Sequence, residues 1–354
     1  MKITTEQIIS FQEQFQLINS KEDFLLILNE AKKIIYTDKY IPFEEKQLNY
    51  YINHQHKNPY NTFTIKKKSG ADRTIKAPCK GLKEFQKALN IIIQSIHQPH
   101  SAATGFVPNK SIVHNAKVHV GQYYVYNIDL KDFFPSVDQA RVWGRLKSAP
   151  FNLGSSPERI KIANMIAALS CTAMEVERYI ENQWVNEVRS VLPQGAPTSP
   201  TLTNAICEKL DKRLAGVAKR FGLNYTRYAD DITFSSKHNT FKIAPDKVEN
   251  IFESNSTFDK EIRKIITEQS FHIKESKIRL QKQGYRQEVT GLTVNDKVNV
   301  SRRYIKQLRQ WLYYWETYGY QKAYSFFIQQ YLVDKGHVKK SKPNMMLVLD
   351  GKLL

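Results

Sequence analysis

Apolar positions recur at helical spacing near the start of the chain, where Phe24, Leu25, Leu28, Ala31 and Ile35 form one stripe behind Ser20, a predicted N-cap. Residues 1–60 therefore read as a helical N-terminal extension. From Thr62 the period shortens to two. Thr62–Ile65 and Arg73–Ile75 read as strands joined by the basic, glycine-bearing loop Lys66-Lys67-Lys68-Ser69-Gly70-Ala71-Asp72. A third strand is predicted from Tyr123 to Ile128, ending at Asp129. After it, Ser136-Val137-Asp138-Gln139 has capping-box spacing and predicts a helix start.

Further on, the loop Leu192-Pro193-Gln194-Gly195-Ala196-Pro197-Thr198-Ser199-Pro200 predicts Ser199 as an N-cap with Pro200 at the first helical position. One long helix should follow, with Leu202, Ile206, Leu210, Leu214, Val217 and Phe221 on its apolar stripe and Gly222 as its stop. Two short strands, Tyr225–Tyr228 and Ile232–Ser235, flank Ala229-Asp230-Asp231 as a hairpin flanks its turn. Ser301 should cap a helix with Ile305, Leu308, Leu312 and Trp315 on its apolar face, and a second helix is predicted from Tyr320 to Val333. The interval from Arg145 to Ser190 carries no assignable motif, and the apolar stretch Val348–Leu354 has no clear stop signal. There is no repeat and no Pro/Gly-rich linker.

Charge narrows the class of partner. Lys plus Arg number 53 against 34 Asp plus Glu, a formal net charge of +19 spread through all 354 residues. Such a field, with aromatics interleaved among the basic positions, suits nucleic acid. Cys79, Cys171 and Cys207 are distant and odd in number, so neither a disulfide framework nor a zinc site is suggested, and a reducing cytoplasm fits. No apolar run approaches the roughly 18 residues of a membrane span, so no membrane partner is expected.

Against that background the acidic positions stand out. Asp230 and Asp231 are adjacent, and Asp129 ends a strand that could converge on them. Like charges a few Å apart repel by roughly several kcal/mol at an intermediate dielectric, so a bare triad should take up protons or splay apart. A hard divalent cation reverses that sign, and two Mg²⁺ ions about 3.5–4 Å apart suit nucleotidyl transfer.

Asp129 with Phe133-Phe134, Gln194-Gly195 in its Pro-rich loop and Tyr228-Ala229-Asp230-Asp231 resemble, in order and spacing, the core motifs of reverse transcriptases, from about Thr62 to Arg309. Asn115-Ala116-Lys117-Val118-His119 resembles the Asn-Ala-x-x-His signature of the retron type, and Val289-Thr290-Gly291 its Val-Thr-Gly signature. The resemblance implies an α+β right-hand polymerase fold: fingers over 61–122, a palm with antiparallel sheet and primer grip over 123–300, and a helical thumb over 301–354. It makes Asp129, Asp230 and Asp231 the ligands of two Mg²⁺ ions, with Mn²⁺ as a substitute, and Lys277 the lysine that helps protonate pyrophosphate. Phe134 takes the place of the residue that blocks a ribose 2′-OH. Gln194 lines the nucleotide pocket, and Arg73 with Lys67 or Lys68 meets the triphosphate.

For nucleic acid, the resemblance implies RNA contacts from Asn115, His119, Val289, Thr290, Gly291, Arg302, Arg303 and Arg309, and makes Tyr304, Trp311 and Trp315 candidates for stacking where they are not thumb core. It further implies deoxynucleotide substrates, a cognate noncoding RNA that is both template and 2′-OH primer, a branched RNA–DNA product, and an effector protein in antiphage defence. Two other readings stay open: a defence-associated or group II intron-type reverse transcriptase with different priming, and a catalytically silent RNA-binding scaffold.

Overall fold

The computed structural model of the chain describes residues 3–53, 59–66, 72–335 and 342–353. Lys67 and Lys68, expected at the triphosphate, lie outside the described residues. Three helices come first, α1 (Thr5–Leu17), α2 (Lys21–Tyr36) and α3 (Glu45–Ile52). Ser20 caps α2 as expected, its hydroxyl accepting from the Asp23 amide while Asp23 reaches back in a capping box. These helices do not stand apart from the rest. Phe11, Phe15, Phe24 and Leu28 share one core with Leu82, Phe85, Leu89 and Ile92 of α4 (Lys80–Ile96). The Arg159 guanidinium binds the carbonyls of Phe15, Gln16 and Ile18 at the end of α1. An antiparallel hairpin, β1 (Tyr60–Lys66) with β2 (Asp72–Pro78), lies between α3 and α4.

After α5 (Ile112–Lys117) comes the central sheet. Its strands are β3 (Tyr124–Asp129), β6 (Asn224–Tyr228), β7 (Asp231–Ser236) and β10 (Arg279–Lys282), all antiparallel, in the order β10-β3-β7-β6. Between β3 and β6 the chain forms α6 (Gln139–Lys147), α7 (Pro157–Ser170), a long hairpin of β4 (Thr172–Ile180) and β5 (Gln183–Val191), then α8 (Ser199–Ile206) and α9 (Glu208–Arg220). Most of the interval without a legible motif is thus α7 and the hairpin. Beyond β7 lie the β8 (Thr240–Ala244) and β9 (Lys247–Asn250) hairpin and α10 (Thr257–Glu268). The small β11 (Glu288–Val289) and β12 (Leu292–Thr293) hairpin follows β10. Last are α11 (Arg302–Tyr318), α12 (Tyr320–Lys335) and α13 (Met345–Leu353), with a core of their own made by Leu308, Trp311, Ala323, Phe327, Met345 and Leu349.

Local chemistry explains where the elements depart from expectation. Ser136 does not cap a helix, because its hydroxyl donates to the carbonyls of Lys131 and Asp132. Helix α6 starts three residues later behind Asp138, whose carboxylate is drawn to Arg178 at 2.6 Å instead of the helix amides. Ser199 lies inside α8, its hydroxyl tying the loop to the Pro193 carbonyl at 2.8 Å. The single long helix expected after it divides at Cys207. Gly222, at a φ of 69°, stops α9 as expected, and the apolar Val348 stretch folds as α13.

Behind the sheet, Arg227 of β6 and Asp211 of α9 form a bidentate pair, 2.7 Å on each arm, with both side chains 0% exposed. Tyr225 adds a hydroxyl donor to Asp211, and Asn204 accepts from Arg227. Removing one partner strands the other charge in a dry interior. Replacing Arg227 by Met should therefore cost about 3–5 kcal/mol of unfolding free energy, measured in a denaturant titration, and the Asp211→Leu change made alongside should recover part of it.

Candidate active site

The geometry begins with register. Asp129 at the end of β3 lies directly opposite Asp231 at the start of β7, and Asp231 also pairs with Tyr228 of β6. The β6–β7 turn is therefore only Ala229-Asp230, so Asp231 belongs to the strand and not to the loop. A two-residue turn between right-twisted strands demands positive φ, and Ala229 supplies 56°. The Asp230 carbonyl accepts from the Leu130 amide at 3.0 Å, which fastens the turn to the end of β3.

A second segment holds the turn from behind. Ala102–Thr104 runs along the edge of β6, giving and taking main-chain hydrogen bonds with Arg227. Gly105 then passes so close that a Cβ there would come within 2.6 Å of the Ala229 amide nitrogen. Only glycine fits.

Electrostatics follow from this crowding. Desolvation first, and then the Asp129 carboxylate, raise the pKa of Asp230 above the usual carboxylate range. Asp231 has one side open to solvent, yet desolvation, Asp230 and Asp129 together push it up to about 6, against Lys277 and Arg279. Lys277, on a 3₁₀ turn over Glu275–Lys277, places its ammonium 2.5 Å from Asp129 Oδ2. Among the described residues no group of three or more His, Cys, Asp or Glu side chains is gathered as a ready ligand set. The raised pKa values of Asp230 and Asp231 run in the direction of the proton uptake expected of a bare triad, while Asp129 is paired to Lys277. Their hard oxygens remain the donor chemistry that a divalent cation takes.

Of the residues expected at the nucleotide, Phe134, Gln194 and Arg73 lie among the described residues. Phe134 packs between Phe133 and Phe106, with ring centroids 5.4 and 6.0 Å away, and Phe106 also touches Tyr228. The Gln194 carbonyl accepts from the Lys76 amide of β2 at 2.9 Å. Gly195, at a φ of 125°, lets β2 approach, since a Cβ there would meet the Lys76 carbonyl at 2.7 Å. That docking brings Arg73 of β2 into electrostatic reach of Asp230.

Residues 65–294 match the family described as reverse transcriptase (RNA-dependent DNA polymerase). The Myxococcus xanthus retron Mx65 reverse transcriptase is 37% identical over 72% of this chain and 55% of its own length. For the Escherichia coli retron Ec86 reverse transcriptase the figures are 32%, 71% and 68%. The chain belongs to the retron reverse transcriptases. It spans about half the length of the two M. xanthus relatives it matches, retrons Mx65 and Mx162. Its mixed helices and antiparallel sheets are the reverse transcriptase fold.

Within the two retron-type signatures, Asn115, His119 and Val289 are buried where RNA contacts were expected. Asn115 and His119 are both 0% exposed, so as folded they offer no surface to RNA. The His119 imidazole bridges Ser235 of β7 and Thr226 of β6 through its two nitrogens, at 2.6 and 2.7 Å. Asn115 accepts from the Thr104 hydroxyl at 2.8 Å and donates to Thr290 Oγ1 at 3.4 Å. The first signature is thus an internal brace between the central sheet and the second. Val289 is buried as well, pairing with Leu292, while Thr290 and Gly291 form the turn with φ of 48° and 85°. Arg302, Arg303 and Arg309 lie on exposed positions of α11. Trp311 is core, its indole donating to Gln330, and Tyr304 and Trp315 pack against that core.

The supporting network of Arg227, Asp211, Tyr225 and Asn204 was not read from the sequence. Its signal was there in part: Arg227 is a charge at an alternating strand position, and Asp211 adjoins the apolar stripe of its helix. No helix among the described residues is long and apolar enough to cross a membrane.

Burial depresses the His119 pKa from 6.5 to about 3, so the folded state keeps it neutral. Its contribution to stability is full above the unfolded value near 6.5 and is lost as pH falls from there towards 3. In His119→Gln the loss of stability between about pH 6 and 4 should be shallower, by up to ~1.4 kcal/mol per pH unit, in denaturant titrations across that range.

Proposed function

We propose that this chain is an RNA-directed DNA polymerase that copies a structured noncoding RNA, starting from a guanosine 2′-OH of that RNA, and leaves a branched RNA–DNA product. The observation that carries the reading is the register that sets Asp129 against Asp231 beside Asp230, with Lys277, Arg279 and Arg73 around them. Asp129, Asp230 and Asp231 would hold two Mg²⁺ ions, for which Mn²⁺ can substitute. When bound, such ions activate the attacking hydroxyl and neutralise charge on the leaving pyrophosphate.

The chain's own groups supply the rest. The Lys277 ammonium is a proton donor placed at the carboxylate edge where pyrophosphate would leave. Arg73 meets the triphosphate from β2, with Lys67 or Lys68 of the adjoining loop. Gln194 borders the base and sugar, and Phe134, wedged between two other rings, excludes a ribose 2′-OH. Template and product lie against the basic face of α11 at Arg302, Arg303 and Arg309, and the exposed Thr290-Gly291 turn contacts the noncoding RNA. In the cell the enzyme acts in antiphage defence with an effector protein, in the cytoplasm.

The deciding experiment expresses the chain with the DNA flanking its gene and runs the copurified nucleic acid on a denaturing gel with RNase and debranching enzyme. A short DNA whose mobility shifts on debranching is expected; unbranched DNA would point to another priming mode. Asp230→Asn with Asp231→Asn should abolish synthesis, a loss of at least about 10³-fold, while RNA binding in a filter assay stays within about threefold. Undiminished synthesis in that variant would sink the metal assignment. Phe134→Ala should lower the preference for dGTP over GTP in kcat/KM by at least about tenfold, and unchanged sugar discrimination would remove its gating role.

A further inference from the structure

The β4–β5 hairpin lies in a part of the chain that the reverse transcriptase reading leaves without a role. It is not a detached ribbon. Tyr179 and Trp184 face each other across it, ring centroids 5.2 Å apart, and both rest on His272, at 5.8 and 4.9 Å. The His272 carbonyl in turn accepts from the Lys131 amide at 2.7 Å. The hairpin therefore closes on the segment that leaves the strand of Asp129.

Lys131 sits at that junction. Past Asp129 an isolated bridge pairs Leu130 with Ile273, and the amide of Lys131, which opens a turn, bonds to the His272 carbonyl. Two residues of chain span at most about 7 Å between Cα atoms. The Lys131 side chain thus starts within about 7 Å of the Asp129 backbone, a separation its own length can cover. Its ammonium lies 3.5 Å from the Trp184 ring centroid and 2.7 Å from the Glu177 carboxylate. Glu177 is half exposed and Lys131 keeps access to water. A surface ion pair and a cation–π contact hold such a group in place without binding it tightly. A polyphosphate arriving with several negative charges competes well for it, and a compact ammonium on a flexible stem suits phosphate as a point charge.

We propose that Lys131 is a ligand for the phosphates of the incoming deoxynucleoside triphosphate, that Trp184 is the positioning residue that holds its ammonium, and that Glu177 is the carboxylate the phosphates displace. The inference rests on the polymerase reading above. It gives the hairpin a task in nucleotide capture and adds a cation to Arg73 on the phosphate side of the site.

The test is steady-state primer extension by the full chain on a primed RNA template with dGTP varied. Lys131→Met should raise KM for dGTP about tenfold while kcat stays within about threefold, and Lys131→Arg should restore most of the loss. Trp184→Leu should raise KM less than Lys131→Met. Glu177→Gln removes the competing carboxylate and should lower KM about twofold. If Lys131 is only a strut, its Met variant loses kcat or melting temperature with KM unchanged, and Glu177→Gln leaves KM unchanged or raises it. Either result overturns the proposal. Should Lys131→Met fail to fold, the Glu177→Gln result decides alone. A wild-type chain that extends no primer would overturn the polymerase reading, and this inference with it; an active wild type with unaltered variants would overturn this inference only.

Discussion

A guanidinium–carboxylate pair sealed from water, Arg227 with Asp211, ties the helix behind the central sheet to the strand that leads into the acidic turn. Burying two charges is costly, and the cost is met only where every donor and acceptor is matched. Here the match extends outward. Asp211 also takes the Tyr225 hydroxyl, and Arg227 reaches the Ala229 carbonyl and Asn204, whose amide holds the Gly105 carbonyl. The turn bearing Asp230 is thereby gripped from the helix side and from the 102–105 segment at once. Geometry set in the dry interior is what brings repelling carboxylates to the surface of the cleft.

That repulsion is the other half of the design. Asp230 and Asp231 both carry raised pKa values because burial disfavours ionisation, as do Asp129 beside both of them and Asp230 beside Asp231. Such a cluster is stable in a scaffold only if the scaffold is rigid, and useful only if a cation can relieve it. The chain as a whole carries the opposite balance, 53 basic residues against 34 acidic ones. Lys277 occupies one carboxylate, and the β2 strand carries Arg73 towards another because Gly195 leaves room for it.

The two retron-type signatures gain a physical meaning from their placement. His119 and Asn115 are polar residues spent in the interior, one stitching β6 to β7 and the other linking the turn at Thr290 to Thr104 beside β6. A threonine at positive φ is strained, and it persists where its surroundings hold it. The Asn115 contact is one such hold. The outer surface of the Val-Thr-Gly segment is thus small, Thr290 and Gly291, and its inner side is architecture.

Much was legible in the residues alone. Period-two alternation around Asp230, the Ser20 and Ser301 caps, the Gly222 stop and the order of the motifs depend on neighbours within a few positions, and local sterics and hydrogen bonding decide them. What the sequence could not determine were partners distant in the chain. Ser136 and Ser199 look like caps until the carbonyls of Lys131, Asp132 and Pro193 claim their hydroxyls. His119 and Asn115 carry nothing in their own spacing to say that they are buried. Asp211 joins Arg227, and Trp184 meets Lys131, only after the chain has folded the intervening helices and strands into place. Sequence determined which groups were available and how each short segment would bend. Tertiary packing decided which of them share a dielectric, because burial and charge pairing exist only between surfaces that the fold has brought together.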